Sequence, residues 1–225
     1  MKLSDKVLLG FFCFIFIYLN AAFIEVRMTG TRNTIDDKNS KAETVDIPAL
    51  SYVILNDIHH DINITGSDRN RLEVRSFSGD LLKDFRYGIS GDTLKLSRAS
   101  STIKEPVKVV IFVSGGLKGI SVNSSEAVLR NVRLEHIQVL ENSGHVWISG
   151  SSIGNVDLDL SNGSSFDIAG PGLDTLSLRI NRSNVNVPSS VEVVRGSMEN
   201  DSFLLVSEPG EIHLKKDKTS RLSLY

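Results

Sequence analysis

His59, His60 and Asp61, with Asp57 just upstream, are the nearest approach in this chain to a metal-ligand cluster. Imidazole and carboxylate groups are the usual ligands of zinc and related ions. Adjacent side chains on a strand point to opposite faces, so His59 and His60 cannot share one ion there. A turn would bring them together, but no further histidine is anchored nearby in sequence, and solvated turn residues are the expectation. Asp157 and Asp159 stand two residues apart on one strand face, a spacing that suits acid–base work or calcium. They alternate with Val156, Leu158 and Leu160, as the solvated side of a half-buried strand does. The regular Gly-Gly-x-Gly-x-Asp steps of calcium-binding β-rolls do not accompany them. Serine is abundant, yet there is no G-x-S-x-G elbow, no histidine placed as its base, no P-loop and no Rossmann glycine pattern. The expectation is a protein with no catalytic, metal or cofactor residues.

Composition narrows the class further. The 225 residues allow one domain of ordinary size and an appendage. A net charge of −2, from acids and bases spread along the chain, lacks the concentrated basic surface that nucleic acid needs. The single cysteine, Cys13, lies inside an apolar run, so neither an intramolecular disulfide nor a cysteine-based zinc site can form. Phe11 and Phe12 precede it where a lipoprotein would carry small residues, and a thiol buried in lipid is the better reading.

That run, Val7 to Ile24, reads VLLGFFCFIFIYLNAAFI and carries no charge. A helix of this length spans about 27 Å, close to the hydrocarbon core of a bilayer. Lys2 and Lys6 flank its short N-terminal side, which places residues 1–6 in the cytoplasm and the rest of the chain outside. A cleaved signal peptide is the alternative; cutting after Ala22 or Ala21 would put Asn20 or Leu19 at a position that wants a small residue. The expected order is a transmembrane anchor over 7–24, a polar spacer over 25–46 and a folded domain over 47–225. The bilayer is then the first partner.

From Ile47 onward two-residue alternation dominates, with turn residues at Gly66-Ser67-Asp68, Ser90-Gly91-Asp92 and Ser114-Gly115-Gly116. Five segments between about 118 and 207 begin with asparagine and rise into a short apolar strand: Asn123, Asn142, Asn162, Asn181 and Asn200. A fixed period near 19 residues marks a solenoid, in which each rung buries its apolar face against its neighbours. Four residues after each asparagine come Ala127, Val146, Phe166, Val185 and Leu204, and six after come Leu129, Ile148, Ile168, Val187 and Val206. These ten positions face inward, and Val128, Trp147, Asp167, Asn186 and Leu205 between them face out. The phase slips by one residue at the third rung, where a turn of different length is expected. Asparagine suits such turns because it tolerates left-handed angles and its amide can bond its counterpart on the next rung. The N-x-Ser pattern in several segments follows from this turn chemistry. Trp147, with Val128 beside it, is the candidate contact patch, although cover from a non-repeating strand or the C-terminal segment is the favoured reading.

The run IHHDINITGSDRNRLEVRS, the GDTLKL hairpin and VKVVIFVSGGLKGISV, leading into rungs rich in Asn, Ser and Gly, resemble the bacterial head-GIN family of cell-envelope, auto-transporter adhesin-like proteins. The resemblance covers roughly residues 50 to 207. It implies an all-β, single-stack solenoid of the right-handed parallel β-helix type, without catalytic residues to carry over. These rungs use asparagine with bulkier neighbours where members often show Gly-Ser-Gly turns. Anchor, spacer and repeat together lead to a non-catalytic envelope protein displaying its solenoid for adhesion, scaffolding, or contact with another envelope protein or a glycan. A sensor or accessory subunit is the alternative, and a polysaccharide-processing enzyme the weakest reading, since its groove would need several carboxylates or aromatics.

Overall fold

The computed structural model describes residues 11–21, 35, 38–98 and 105–224. The chain divides after Thr34 into two units. In the first, residues 11–21 are helical, with Phe11, Phe12, Phe14, Phe16 and Ile17 all more than half exposed. Among the described residues no helix is long and apolar enough to cross a membrane. The described helix accounts for about 16 Å at 1.5 Å per residue, roughly half a bilayer core. The remainder of the expected anchor (7–10 and 22–24), the N-terminus 1–6 and most of the expected spacer lie outside the described residues.

The second unit is all-β. Its strands are β1 (Lys41–Asp46), β2 (Tyr52–Asn56), β3 (Asp61–Gly66), β4 (Arg71–Ser76), β5 (Phe85–Ser90), β6 (Thr93–Arg98), β7 (Lys108–Val113), β8 (Gly119–Asn123) and β9 (Glu126–Arg130). They continue as β10 (Arg133–Asn142), β11 (His145–Ser149), β12 (Ser152–Ser161), β13 (Ser165–Ala169), β14 (Leu173–Asn181), β15 (Asn184–Val187), β16 (Val191–Glu199), β17 (Phe203–Val206), β18 (Pro209–Lys216) and β19 (Arg221–Leu224). From β8 onward successive strands alternate between two sheets, so each rung is a long strand, a tight corner and a short strand. One sheet runs β1-β4-β7-β3-β9-β11-β13-β15-β17-β19, the other β18-β16-β14-β12-β10-β8-β2-β6-β5. Nearly every pairing is parallel, as a solenoid requires, because each rung repeats the direction of the last. The β-solenoid that the resemblance implied is the fold of this unit.

The register follows from burial of one side of each strand. All ten positions expected to face inward are buried, from Phe166 at 0% to Ile168 at 4% exposed. They form columns across the short-strand sheet, Val146 beside Phe166 and Ile148 beside Ile168. In the long strands the inward residues step by three, from Ile153 to Val156, Leu173 to Leu176 and Val191 to Val194. That step interrupts simple alternation, which is why only the second half of each long strand stands out in the sequence.

The N-terminal end departs from a regular stack. The first rung, β2 and β3, sits inside both sheets, with β6 and β7 on one side and β8 and β9 on the other. Antiparallel β1 and β4 finish one sheet beyond β7, and the β5–β6 hairpin, turning at Gly91-Asp92, finishes the other. Lys41–Asp46, the last part of the expected spacer, is therefore a strand of the folded domain. Its largely exposed edge position leaves Val45 as its only large apolar residue, so it carries almost no hydropathy signal. At the opposite end, β19 pairs in parallel with β17. Asp217 organises the turn before it, accepting the backbone N–H of Asn200 at 2.7 Å and of Ser220 at 2.8 Å. These donors, the Asn200 amide first, hold its carboxyl well below the usual carboxylate range.

Gly196 lies in β16 opposite Leu178, at φ +133°, and a Cβ there would fall 1.8 Å from the Leu178 carbonyl oxygen. Any side chain must push two rungs apart. Gly196→Ala is expected to destabilise the domain by about 3 kcal/mol or more, read as a loss of unfolding free energy in denaturant titration.

Candidate functional site

Each corner between a long and a short strand must satisfy backbone groups that the sheets leave unpaired. Buried serines do this. Ser125, Ser164, Ser183, Ser202 and Ser220 occur two residues after an asparagine or at the equivalent corner place, each no more than 3% exposed. Ser202 Oγ donates to the Glu199 carbonyl at 2.6 Å and accepts the Ser183 N–H at 3.3 Å. Ser164 bonds the Ser161 carbonyl and the Gly144 N–H in the same way, and Ser125 the Asn123 carbonyl and the Ile58 N–H. Gly144 stands where the series would place a serine, because a Cβ there would lie 2.9 Å from Val122 Cγ1. These hydroxyls are the part of the corner that asparagine spacing does not reveal. Their signal in the sequence is the N-x-Ser pattern itself, which here encodes a buried serine.

The asparagines stack as anticipated, in pairs. Asn123 donates to Asn56 at 3.0 Å, Asn162 to Asn142 at 2.7 Å and Asn200 to Asn181 at 3.0 Å. Left-handed backbone is adopted by Asn162 and Asn200 but, at the other three corners, by the following residue: Ser124, Ser143 and Arg182. The difference is one residue of corner length. Ser161 aligns with Asn142 and Asn181, so Asn162 is an inserted residue and the corner before Ser165 holds three residues, 162–164, where its neighbours hold two. This is the slip visible at the third rung. A second insertion, at Asn200 after Glu199, is hidden in the sequence because the spacing between asparagines stays at 19.

The outer ladder of the short-strand sheet runs Asn63, Val128, Trp147, Asp167, Asn186, Leu205. Trp147 is 47% exposed, so no segment among the described residues covers it, against the favoured expectation. The C-terminal strands β18 and β19, which could have supplied that cover, extend the stack instead. Beyond Trp147, Asp167 accepts Asn186 Nδ2 at 2.9 Å on one oxygen and meets His145 Nε2 at 2.9 Å on the other. A cavity of about 300 Å³ opens here, lined by His145, Trp147, Asp167, Asn186 and Pro188 among others.

On the long-strand sheet, Asp157 and Asp159 do share the outer face. Each is already engaged: His136 Nε2 lies 2.9 Å from Asp157, and Arg179 Nη1 lies 3.5 Å from Asp159. Desolvation pushes the Asp157 carboxyl up, but hydrogen bonds from His136 and Ser177 and the His136 and Arg195 charges outweigh it, and its pKa is lowered. Near the N-terminus His59 turns to Asp57 at 3.3 Å, while His60 packs edge-on against Phe85 at 6.1 Å. The two imidazoles part, as neighbours leading into β3 should. Burial, first, and the nearby Arg98 and His59 lower the His60 pKa. Among the described residues, no three His, Cys, Asp or Glu side chains converge to hold a metal.

Glu141 breaks the inward pattern. It aligns with Val122 and Leu160 inside the solenoid, is 3% exposed, and neither carboxyl oxygen has a hydrogen-bond partner. Desolvation, with a smaller push from Asp167, raises its pKa to about 9. The folded protein therefore keeps this proton at neutral pH, whereas the unfolded chain loses it above about pH 4.5. Because the unfolded state binds fewer protons there, stability falls as pH rises from about 4.5 to about 9. The slope is on the order of 1 kcal/mol per pH unit. Glu141→Gln is expected to remove this contribution, so unfolding titrations at pH 5, 7 and 9 should show a flatter dependence than the parent chain.

No protein-family model matches the sequence, and no curated protein does. Solved structures do. Among them are structures described as “putative adhesin”: one from Parabacteroides merdae has a TM-score of 0.65 at 11% identity over 84% of this chain and 97% of that one. Another, from Bacteroides fragilis, has a TM-score of 0.59 at 11% identity over 84% and 98%. A third, described as a “putative lipid binding protein” from Parabacteroides distasonis, has a TM-score of 0.51 at 14% identity over 84% and 94%. At these identities the likeness is one of fold. The chain is a β-solenoid of the kind seen in these adhesin-like structures.

Proposed function

We propose that the protein is a non-catalytic display module of the bacterial envelope, held outside the cytoplasmic membrane by its N-terminal segment and presenting the outer faces of its rungs for adhesive contact. The observation that carries this reading is the outer ladder around Trp147: an exposed aromatic on a rigid, fully registered stack, with binding rather than reacting groups beside it. The acidic pair on the opposite sheet is tied up by His136 and Arg179, which suits a structural role. The shared fold with proteins described as adhesins supports the same reading. The uncharged run from Val7 to Ile24 supplies the attachment, with the lysines before it favouring export of the β-domain.

Alkaline phosphatase fused after Tyr225 of the full chain tests the location, because that enzyme folds to activity only where its disulfides form. Active fusions that sediment with membranes are expected. A fusion that is inactive as phosphatase but active as a cytoplasmic reporter would overturn the reading.

A further inference from the structure

Trp147, Asp167 and Asn186 occupy adjacent rungs of one ladder, so about 4.8 Å separates each from the next. The indole offers a wide apolar surface and an N–H donor at its rim. Beside it the carboxylate of Asp167 is fixed from both sides, by Asn186 Nδ2 and by His145 Nε2. A carboxylate only accepts, so Nε2 carries the imidazole proton in this bond and Nδ1 of a neutral ring is left as an acceptor. A carboxylate also has about four acceptor directions, and these two bonds use half of them. Asn186 Nδ2 has two N–H donors, and one of them is spent on Asp167.

An aromatic face bordered by alternating donors and acceptors matches a ring that is apolar on its C–H side and carries hydroxyls at its rim. The cavity of about 300 Å³ is at the lower end of small-ligand sites. Its lining is mostly apolar, from Trp147, Ile168, Ala169 and Pro188, with His145, Asp167 and Asn186 as its polar members. The Asp167 charge opposes a second carboxylate, so an acidic sugar is disfavoured.

We propose that this pocket is a carbohydrate site that takes a neutral pyranose, the ring lying on Trp147 and its hydroxyls bonding Asp167, Asn186 and His145. This rests on the display reading, for which it supplies the ligand class. Trp147 is the chain's one tryptophan, so its fluorescence reports the site directly. The test is titration of the purified full chain in detergent with hexasaccharides of glucose, mannose and N-acetylglucosamine, and with a hexasaccharide of galacturonate. Saturable change in tryptophan emission with at least one neutral oligomer, and at least about tenfold weaker binding of the galacturonate oligomer, is expected. By calorimetry, Trp147→Ala should weaken the neutral oligomer at least about tenfold and Trp147→Phe much less, with unchanged thermal unfolding, since the side chain is exposed. Asp167→Asn should weaken it and narrow the gap to the acidic oligomer. Absence of response to every neutral oligomer, equal binding of the acidic one, or undiminished binding by Trp147→Ala overturns the proposal. A cytoplasmic location in the fusion assay would overturn the display reading and leave these titrations interpretable on their own.

Discussion

The corner hydrogen bond is the constraint on which the rest of this fold depends. A stack of strands satisfies its own backbone, but the chain must leave one sheet and enter the other at every rung, through corners whose serines are buried. A serine hydroxyl can donate to a carbonyl behind it and accept an N–H from the neighbouring rung, which solves both shortages with one small side chain. Because that hydroxyl must reach the corner interior, the serine sits at a fixed place in the turn, and the residues before it must turn sharply. That is where the left-handed residues and the paired asparagines fall. Once the corners hold register, the inward columns of Val, Ile, Leu and Phe follow.

Register is also what gives the outer face any meaning. A one-residue slip would exchange inward and outward sets, burying Asp167 and exposing Phe166. The chain tolerates added residues at Asn162 and Asn200 because they lie in corners, where an extra left-handed residue lengthens the turn without moving the strands. Trp147, Asp167 and Asn186 thus come together across three rungs although 20 and 19 residues separate them in sequence. The same logic makes Glu141 anomalous: an inward carboxylic acid with no partner weakens the stack as its proton becomes harder to keep.

The inward set, the asparagine pairing and the slip at the third rung are legible in the sequence because each repeats with the period of the fold. The corner serines are visible there as the N-x-Ser pattern but not as buried groups, since a buried hydroxyl and a solvated one have the same letter. The interleaved first rung is not legible, because strand order in a sheet is set by long-range packing and β2 carries nothing in its residues to say that β6 will lie on one side and β8 on the other. Lys41–Asp46 escapes for the opposite reason: an edge strand with little to bury has little hydrophobic pattern. Alternation places Trp147 on the correct face, whereas the Asp167–Asn186–His145 network beside it depends on side-chain reach between rungs, which spacing alone does not give.

The most direct test of the corner account is native-state hydrogen exchange of the full chain, followed at the amides of Ile58, Gly144, Ser183 and Ser202, which donate to serine hydroxyls. If those bonds hold the corners, these four amides exchange as slowly as the amides of the long strands, and only by opening of whole rungs. Exchange at the rate of open surface turns, with the strands still protected, would contradict it.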